Sequence, residues 1–275
     1  MAKICKVYGY TRQAYYKRKE KMKKESERGK QILEYVLSIR KRQPRVGGRK
    51  LHEMINSSDR ISAHVGRDSL FTLLRTNDLL VKQVKRWVKT TNSYHRFKKY
   101  GNLIKEKEDI RPGEVLVSDI TYIDTEERYG YLFLTTDYAS RAILGYNFSR
   151  TLRVEGGVKA LEMAIKNIAD PEKVIHHSDR GKQYCSYIYT DLLKKNNMQI
   201  SMTEKNHVYE NALAERVNGI LKQEFLLGER LPSLKIAEMM IEEAISIYNY
   251  ERLHTSLNYE IPMNYFNENV NKYAT

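Results

Sequence analysis

A chain of 275 residues, 41% of them hydrophobic, can build one large domain or two modest ones with real cores, which excludes a disordered tail. It lacks the roughly 18 consecutive apolar residues of a membrane span and the apolar core of a secretory signal at its start. Cys5 and Cys185 stand too far apart for a disulfide framework or zinc-ligand spacing, so a reducing cytoplasm is the expected setting. The net charge of +14 is divided unevenly: residues 1–110 hold 29 Lys and Arg against 11 Asp and Glu, residues 111–275 hold 19 against 23. That asymmetry points to one part that binds a polyanion and another that needs its carboxylates.

Residues 10–42 read as helix, with Ile32, Leu33, Val36, Leu37 and Ile39 near helical spacing and lysines crowding positions 17–24. Pro44 and the Gly47-Gly48 pair break it. Two short helices, about Arg49–Asn56 and Gly66–Asn77, follow with Leu51, Met54, Ile55, Leu70, Leu73 and Leu74 inward. The pair fits a helix-turn-helix, whose second helix can enter a DNA major groove, and equally a small bundle with a basic exterior. Residues 82–107 mix cations with aromatics, and Lys85, Arg86, Lys98 and Lys99 are candidate contacts to a phosphate backbone. Arg111-Pro112-Gly113 ends this linker and sets the expected boundary between regions 1–110 and 111–275.

Beyond it the period changes. Residues 114–123, 129–138 and 141–148 are rich in β-branched and aromatic side chains, predicting three antiparallel strands. A helix at 154–168, a strand at 173–177, a helix at 184–195, a strand at 199–202 and helices at 211–227 and 234–250 complete a mixed sheet with helices packed on it, an α/β core.

Three acids occupy telling places. Asp119 interrupts an apolar strand, where an ionised side chain is costly unless compensated, as a metal ion would do. Asp179 follows the strand at 173–177, at the end where α/β sheets present ligand groups. Glu215 opens a helix on which Asn218 and Lys222 share its face. Together they can hold paired Mg²⁺ ions for in-line attack on a phosphodiester. Each has an ordinary reading as well: a hydrogen-bonded strand residue, a turn former and a surface helix charge. Asp137 also sits on a strand, and His176-His177 lack the paired cysteines of a zinc site.

The motifs around these acids resemble those of the second-frame (OrfB-type) products of bacterial insertion sequences of the IS-three group, DDE transposases related to retroviral integrases. Asp119-Ile120-Thr121-Tyr122-Ile123 is similar to the family's first-aspartate strand, and His177 through Tyr184 to its second-aspartate motif. Tyr209 through Glu215, continuing to Leu221-Lys222-Gln223-Glu224, resembles its glutamate motif, with the group's spacing of 35 residues between Asp179 and Glu215. Tyr248-Asn249, Arg252, His254, Leu257 and Pro262 resemble its C-terminal signature, Arg45 through Leu51 its helix-turn-helix-like region, and Lys89 through His95 the junction before its core. The chain departs from the pattern at Leu116 (often Trp), at Glu210 (often Asp) and in the glycine-free loop 204–208.

The resemblance implies a ribonuclease-H-like core preceded by a basic all-α DNA-binding region, with Asp119, Asp179 and Glu215 as metal ligands for two Mg²⁺ ions that Mn²⁺ can replace. It further implies cleavage that frees a 3′-hydroxyl at the element's end, strand transfer by that hydroxyl and a circular intermediate. Lys222 resembles a lysine that related enzymes use at the transposon end, although an exposed helix lysine is the ordinary alternative; Arg180 and Arg216 are candidate phosphate contacts. Asp137 becomes a structural acid. The implied partners are DNA, at element ends and target, further copies of the chain on that DNA, and an upstream-frame helix-turn-helix product or a fusion with it. No membrane is implied; the setting is the bacterial cytoplasm, on the nucleoid.

Overall fold

The computed structural model describes residues 7, 9, 11–61, 64–82, 95–204 and 211–272. The chain divides into two compact units, Met1–Gln83 and Val84–Thr275. Among the described residues, no helix is long and apolar enough to cross a membrane.

The first unit is helical. α1 (Arg12–Arg42) begins where the Thr11 side chain accepts the Ala14 N–H at 3.1 Å, and it ends on Arg40, Lys41 and Arg42, cations that suit the negative end of its dipole. α2 (Gly48–Asn56) and α3 (Arg67–Thr76) pack Leu51, Ile55, Leu70 and Leu74 against Ile32 and Val36 of α1. The connection between α2 and α3 is not tight: ten residues, 57–66, separate them. Asn56 fastens the far end of that connection, its Oδ1 accepting the Val65 N–H at 2.8 Å.

The second unit is built on a five-stranded sheet in the order β3-β2-β1-β4-β5. β1 (Val115–Ile123), β2 (Gly130–Asp137) and β3 (Ile143–Ser149) form the antiparallel meander that their β-branched and aromatic sequences predict. β4 (Ile175–Ser178) and β5 (Gln199–Met202) join in parallel beside β1. The crossover helix α4 (Val154–Ile165) packs on β3 so closely that a Cβ on Gly145 would meet the Ala160 carbonyl at 1.9 Å. Where one helix was expected over 184–195 there are two, α5 (Lys182–Cys185) and α6 (Tyr187–Lys195). The break is Ser186, whose extended backbone caps the second one. α7 (Ala212–Glu224), α8 (Leu234–Tyr250) and α9 (Pro262–Lys272) complete the unit. α9 was not expected from the sequence; its polar run is held by Phe266, buried among Leu116, Tyr184 and Met198.

The strand period of two sorts β1 into two faces. Leu116 and Ile120 join the layer of α4 and α6, whereas Val115, Val117 and Ile123 join that of α7 and α8. Asp119, two residues from Val117, therefore points to the α7 side. The contact boundary falls at Gln83/Val84 rather than at residue 110, because the end of the expected linker packs on the sheet. Leu103 N–H donates to Ser201 Oγ at 2.9 Å, Met202 N–H donates to the Gly101 carbonyl at 3.0 Å, and Ile104 and Ile110 lie against Val115, Val117 and Ile175.

Candidate active site

Two asparagines set α7 on β1. Asn211, at the helix start, donates from Nδ2 to the Ser118 carbonyl at 3.4 Å, and Asn218, two turns on, donates from Nδ2 to Asp119 Oδ2 at 2.8 Å. Residues seven apart share one helix face, so both dock the same side of α7 and hold Glu215 between them. Glu215 stands exposed in the first turn, where the helix dipole favours an anion.

Asp179 leaves the end of β4 and folds back on itself: its Oδ1 accepts the Gly181 N–H at 2.9 Å. A Cβ at position 181 would stand 2.8 Å from that same oxygen, so any larger residue there makes the carboxyl shift. The requirement is close approach, since the Gly181 φ of −64° is open to any residue.

The three carboxyls feel one another. Asp119 keeps part of its surface open, yet protein atoms crowd its carboxyl, and lost hydration followed by repulsion from Asp179 and, more weakly, Glu215 pushes its pKa up to about 7. Glu215 is raised by lost hydration and then by Asp179. As placed, no group of three or more His, Cys, Asp or Glu side chains among the described residues stands close enough to hold a metal ion. An oxygen of Asp119 and one of Asp179 are engaged by N–H donors.

The surround carries unmet polar capacity. Among the described residues, Arg180 Nε, Tyr184 Oη, Asn211 Oδ1 and Asn218 Oδ1 are buried without hydrogen-bond partners, and the Tyr184 hydroxyl lies near enough to Asp119 and Asp179 for both to raise its pKa, after burial. Each such atom costs on the order of 1–3 kcal/mol. Surplus acid together with orphaned hard oxygens fits a hydrated divalent cation, so the donor set suits the implied metal.

The other candidates are scattered. Lys222 is half-buried on α7, its pKa lowered by lost hydration against the pull of Asp119, so it reaches the site. Arg180 is half-buried beside Asp179, and its carbonyl accepts a hydrogen bond from His95 Nε2 at 2.8 Å. Arg216 is exposed next to Glu215, and Lys98 and Lys99 are exposed, the Lys98 ammonium 5.1 Å from the centre of the Tyr100 ring. Lys85 and Arg86 lie outside the described residues, as do the loop 205–208 and Tyr209-Glu210 of the glutamate motif.

Asp137 is fully committed: Oδ1 accepts the Gly113 N–H at 2.7 Å, and Oδ2 accepts the Ser140 N–H and hydroxyl at 2.7 and 2.6 Å. The two histidines are packed into the sheet. His176 shares hydrogen bonds of 2.9 Å with Ser118 Oγ and Tyr189 Oη, and burial holds its pKa down to about 3; His177 Nδ1 lies 2.8 Å from Ser201 Oγ. The C-terminal signature is scaffold. Asn249 clamps both backbone groups of Ile143, Tyr248 donates to the Arg141 carbonyl, and Arg252 grips Glu224 with two bonds of 2.9 Å. The sequence reading missed what Asn211 does. A polar residue seven positions before an asparagine on the Glu215 face was the available signal.

Two family models, each described as an integrase core domain, match residues 109–207 and 196–262. The chain is 34% identical over 259 residues to the "Insertion element IS600 uncharacterized 31 kDa protein" of Shigella sonnei, covering 92% of this chain and 94% of that one. It is 35% identical over 160 residues to the "Transposase InsF for insertion sequence IS3A" of Escherichia coli (strain K12), a match spanning 58% of this chain and 56% of that protein. Among solved structures, a simian T-cell lymphotropic virus intasome, in complex with PP2A regulatory subunit B56 gamma, shares the fold at 14% identity, with a TM-score of 0.50 over 80% of this chain and 70% of its own. The HTLV-2 integrase catalytic core domain, in complex with magnesium, is similar at 17% identity and a TM-score of 0.45, over 58% of this chain and 99% of its own. A ribonuclease-H-like mixed sheet, integrase-core matches that together span more than half of the chain and 34% identity over nearly the full length of an insertion-element protein agree: the chain belongs to the integrase-core transposases of IS3-type insertion sequences, polynucleotidyl transferases of DNA transposition and integration.

Proposed function

We propose that this transposase cuts and joins DNA at its element's ends by DDE chemistry, with Asp119, Asp179 and Glu215 holding two Mg²⁺ ions that Mn²⁺ can replace. The observation that carries the reading is electrostatic: Asp179, at the end of β4, raises the proton affinity of both Asp119, in the middle of β1, and Glu215, in the first turn of α7, and Glu215 adds weakly to that of Asp119. Bound divalent ions supply Lewis acidity and a hydroxide-like nucleophile near neutral pH. The protein's part is to aim and shield. Asn218 fixes the Asp119 carboxyl and Asn211 the start of α7. Asp119, crowded by protein and repelled by Asp179, has its pKa pushed up to about 7, and a divalent cation would favour its ionised form.

The basic region 1–110 is proposed to bind DNA, its last residues, 95–110, from their place against the sheet, and 111–275 to be the catalytic part. Around the acids, Lys222, Arg180 and Arg216 are proposed to contact phosphates near the scissile bond. Lys98 and Lys99, with Lys85 and Arg86, are proposed as further phosphate-backbone contacts. Bridging two ends requires more than one copy. The upstream-frame product or a fusion with it adds end recognition, on nucleoid DNA in the cytoplasm.

The test is Glu215→Gln in the full chain, on a labelled end-bearing duplex with Mg²⁺ or Mn²⁺. Nicking and strand transfer fall by at least about 10³-fold, while duplex affinity stays within about twofold. Normal cutting by this variant overturns the assignment. Cleavage without joined products from the unaltered chain indicates a nuclease instead, and DNA binding without either indicates a non-catalytic regulator.

A further inference from the structure

α1 buries little of its length. Its buried residues are Ile32 and Val36, and packing on the rest of the unit reaches back to Arg28, whose Nη2 donates to the His64 carbonyl at 2.7 Å, and to Gly29 beside Leu73. Before that point the helix continues for about four more turns, or roughly 24 Å.

At 100° per residue, Lys17, Arg18, Lys21 and Arg28 fall on the stripe that Ile32 and Val36 occupy farther along. The core-facing side of the helix thus changes from apolar to cationic where the core ends. Residues 12–30 hold nine Lys and Arg against three Glu. Lys21, Lys23 and Lys24 make loose pairs with Glu25, Glu27 and Glu20 at 3.8–4.0 Å, while Lys17, Arg18 and Lys19 have no ion-pair partner among the described residues. All six are exposed. A protein partner would need an apolar seam, and the exposed large apolar residues in this stretch, Tyr16 and Met22, lie on different sides of the helix.

We propose that the first half of α1 is an arm that lies along the phosphate backbone of a DNA duplex through Lys17, Arg18 and Lys21, supplying affinity without sequence preference. The proposal rests on residues 1–110 being the DNA-binding part, and it is separate from any base reading by α2 and α3.

The test uses the full chain and two labelled duplexes of equal length, one end-bearing and one of random sequence, with anisotropy read across a KCl series. K17Q/R18Q/K21Q is compared with K19Q/K23Q/K30Q, which removes three cations from the opposite side of the same helix. Glutamine keeps helix propensity, and circular dichroism checks it. Each lost phosphate contact takes about 0.9 from the slope of log affinity against log salt. The first triple is expected to lower that slope by about 2 to 3 on both duplexes, leaving their affinity ratio unchanged, and the opposite triple by less than half as much. The charge-retaining K17R/R18K/K21R restores the slope. A wild-type slope for the first triple, or equal losses from both triples, overturns the arm. If in that event R49Q/R75Q, on α2 and α3, still weakens binding, only the arm has failed; if it does not, the wider reading of residues 1–110 fails with it.

Discussion

Asn218 donates its side-chain N–H to Asp119 at 2.8 Å across 99 positions of sequence, so the helix carrying Glu215 and the strand carrying Asp119 meet through a neutral residue placed between their charges. The bond steadies the acid in its ionised form, opposing the lost hydration that favours protonation. Asn218 is thereby a positioning residue for the acid it holds.

Asn218→Ala is expected to lower strand cleavage by about 10- to 100-fold, the usual range for partners that orient metal ligands, and to raise the Mg²⁺ concentration giving half-maximal rate. Asn218→Gln, which keeps an N–H donor, recovers part of the loss. Cleavage rates across a Mg²⁺ titration check this, and a wild-type titration curve for the alanine variant contradicts it.

Gly181→Ala places a methyl 2.8 Å from Asp179 Oδ1 and forces that carboxyl to turn. Since φ there is −64°, alanine fits the backbone, so the melting temperature should hold within a few degrees while cleavage falls by at least about tenfold, as expected when a catalytic group is displaced by about an ångström. Parallel melting and cleavage measurements separate the two effects.

Asp137→Ala gives the reverse pattern. It strands the buried Ser140 N–H and hydroxyl and removes the acceptor of the Gly113 N–H, costing about 3–5 kcal/mol. Per folded molecule, cleavage stays near the wild-type rate. Urea unfolding beside a single-turnover cleavage assay is the measurement; intact stability with lost cleavage would instead make Asp137 part of the chemistry.

His176 makes stability depend on pH. Folded, it titrates near 3, against 6.5 for an ordinary histidine. Between those values the unfolded chain holds a proton that the folded chain refuses. Its contribution is therefore complete above 6.5 and is lost as pH falls toward 3, at up to about 1.4 kcal/mol per pH unit. Melting curves from pH 7 to 5 should show this one-proton slope, and His176→Asn should remove that share of it. An unchanged slope in the variant shows that other groups carry the acid sensitivity.

The order of elements was legible from the residues because its signals are local. β-Branched and aromatic enrichment marked β1 to β3, helical spacing marked the interior of α1, α7 and α8, and glycine and proline marked the breaks. The acids were legible as charges out of place, Asp119 in an apolar run above all. Two other features were not. Ser186 splits α5 from α6 by a capping geometry that spacing does not encode, and α9 exists because Phe266 finds a slot made by residues far away in the chain.

By itself, the sequence determined which side chains are available and at what intervals: three acids, two asparagines seven apart, a basic first part and a glycine two residues after Asp179. Periodicity is a property of neighbours along the chain, so it can be read without coordinates. Only the folded chain decided that Asn211 and Asn218 fasten α7 to β1, that Asp137 spends every oxygen on backbone and Ser140, that Asn249 and Arg252 clamp rather than catalyse, and that residues 95–110 belong with the sheet. Apart from the Asp137–Ser140 turn, those outcomes rest on hydrogen bonds and packing between residues tens of positions apart, and such contacts exist only after the chain has closed on itself.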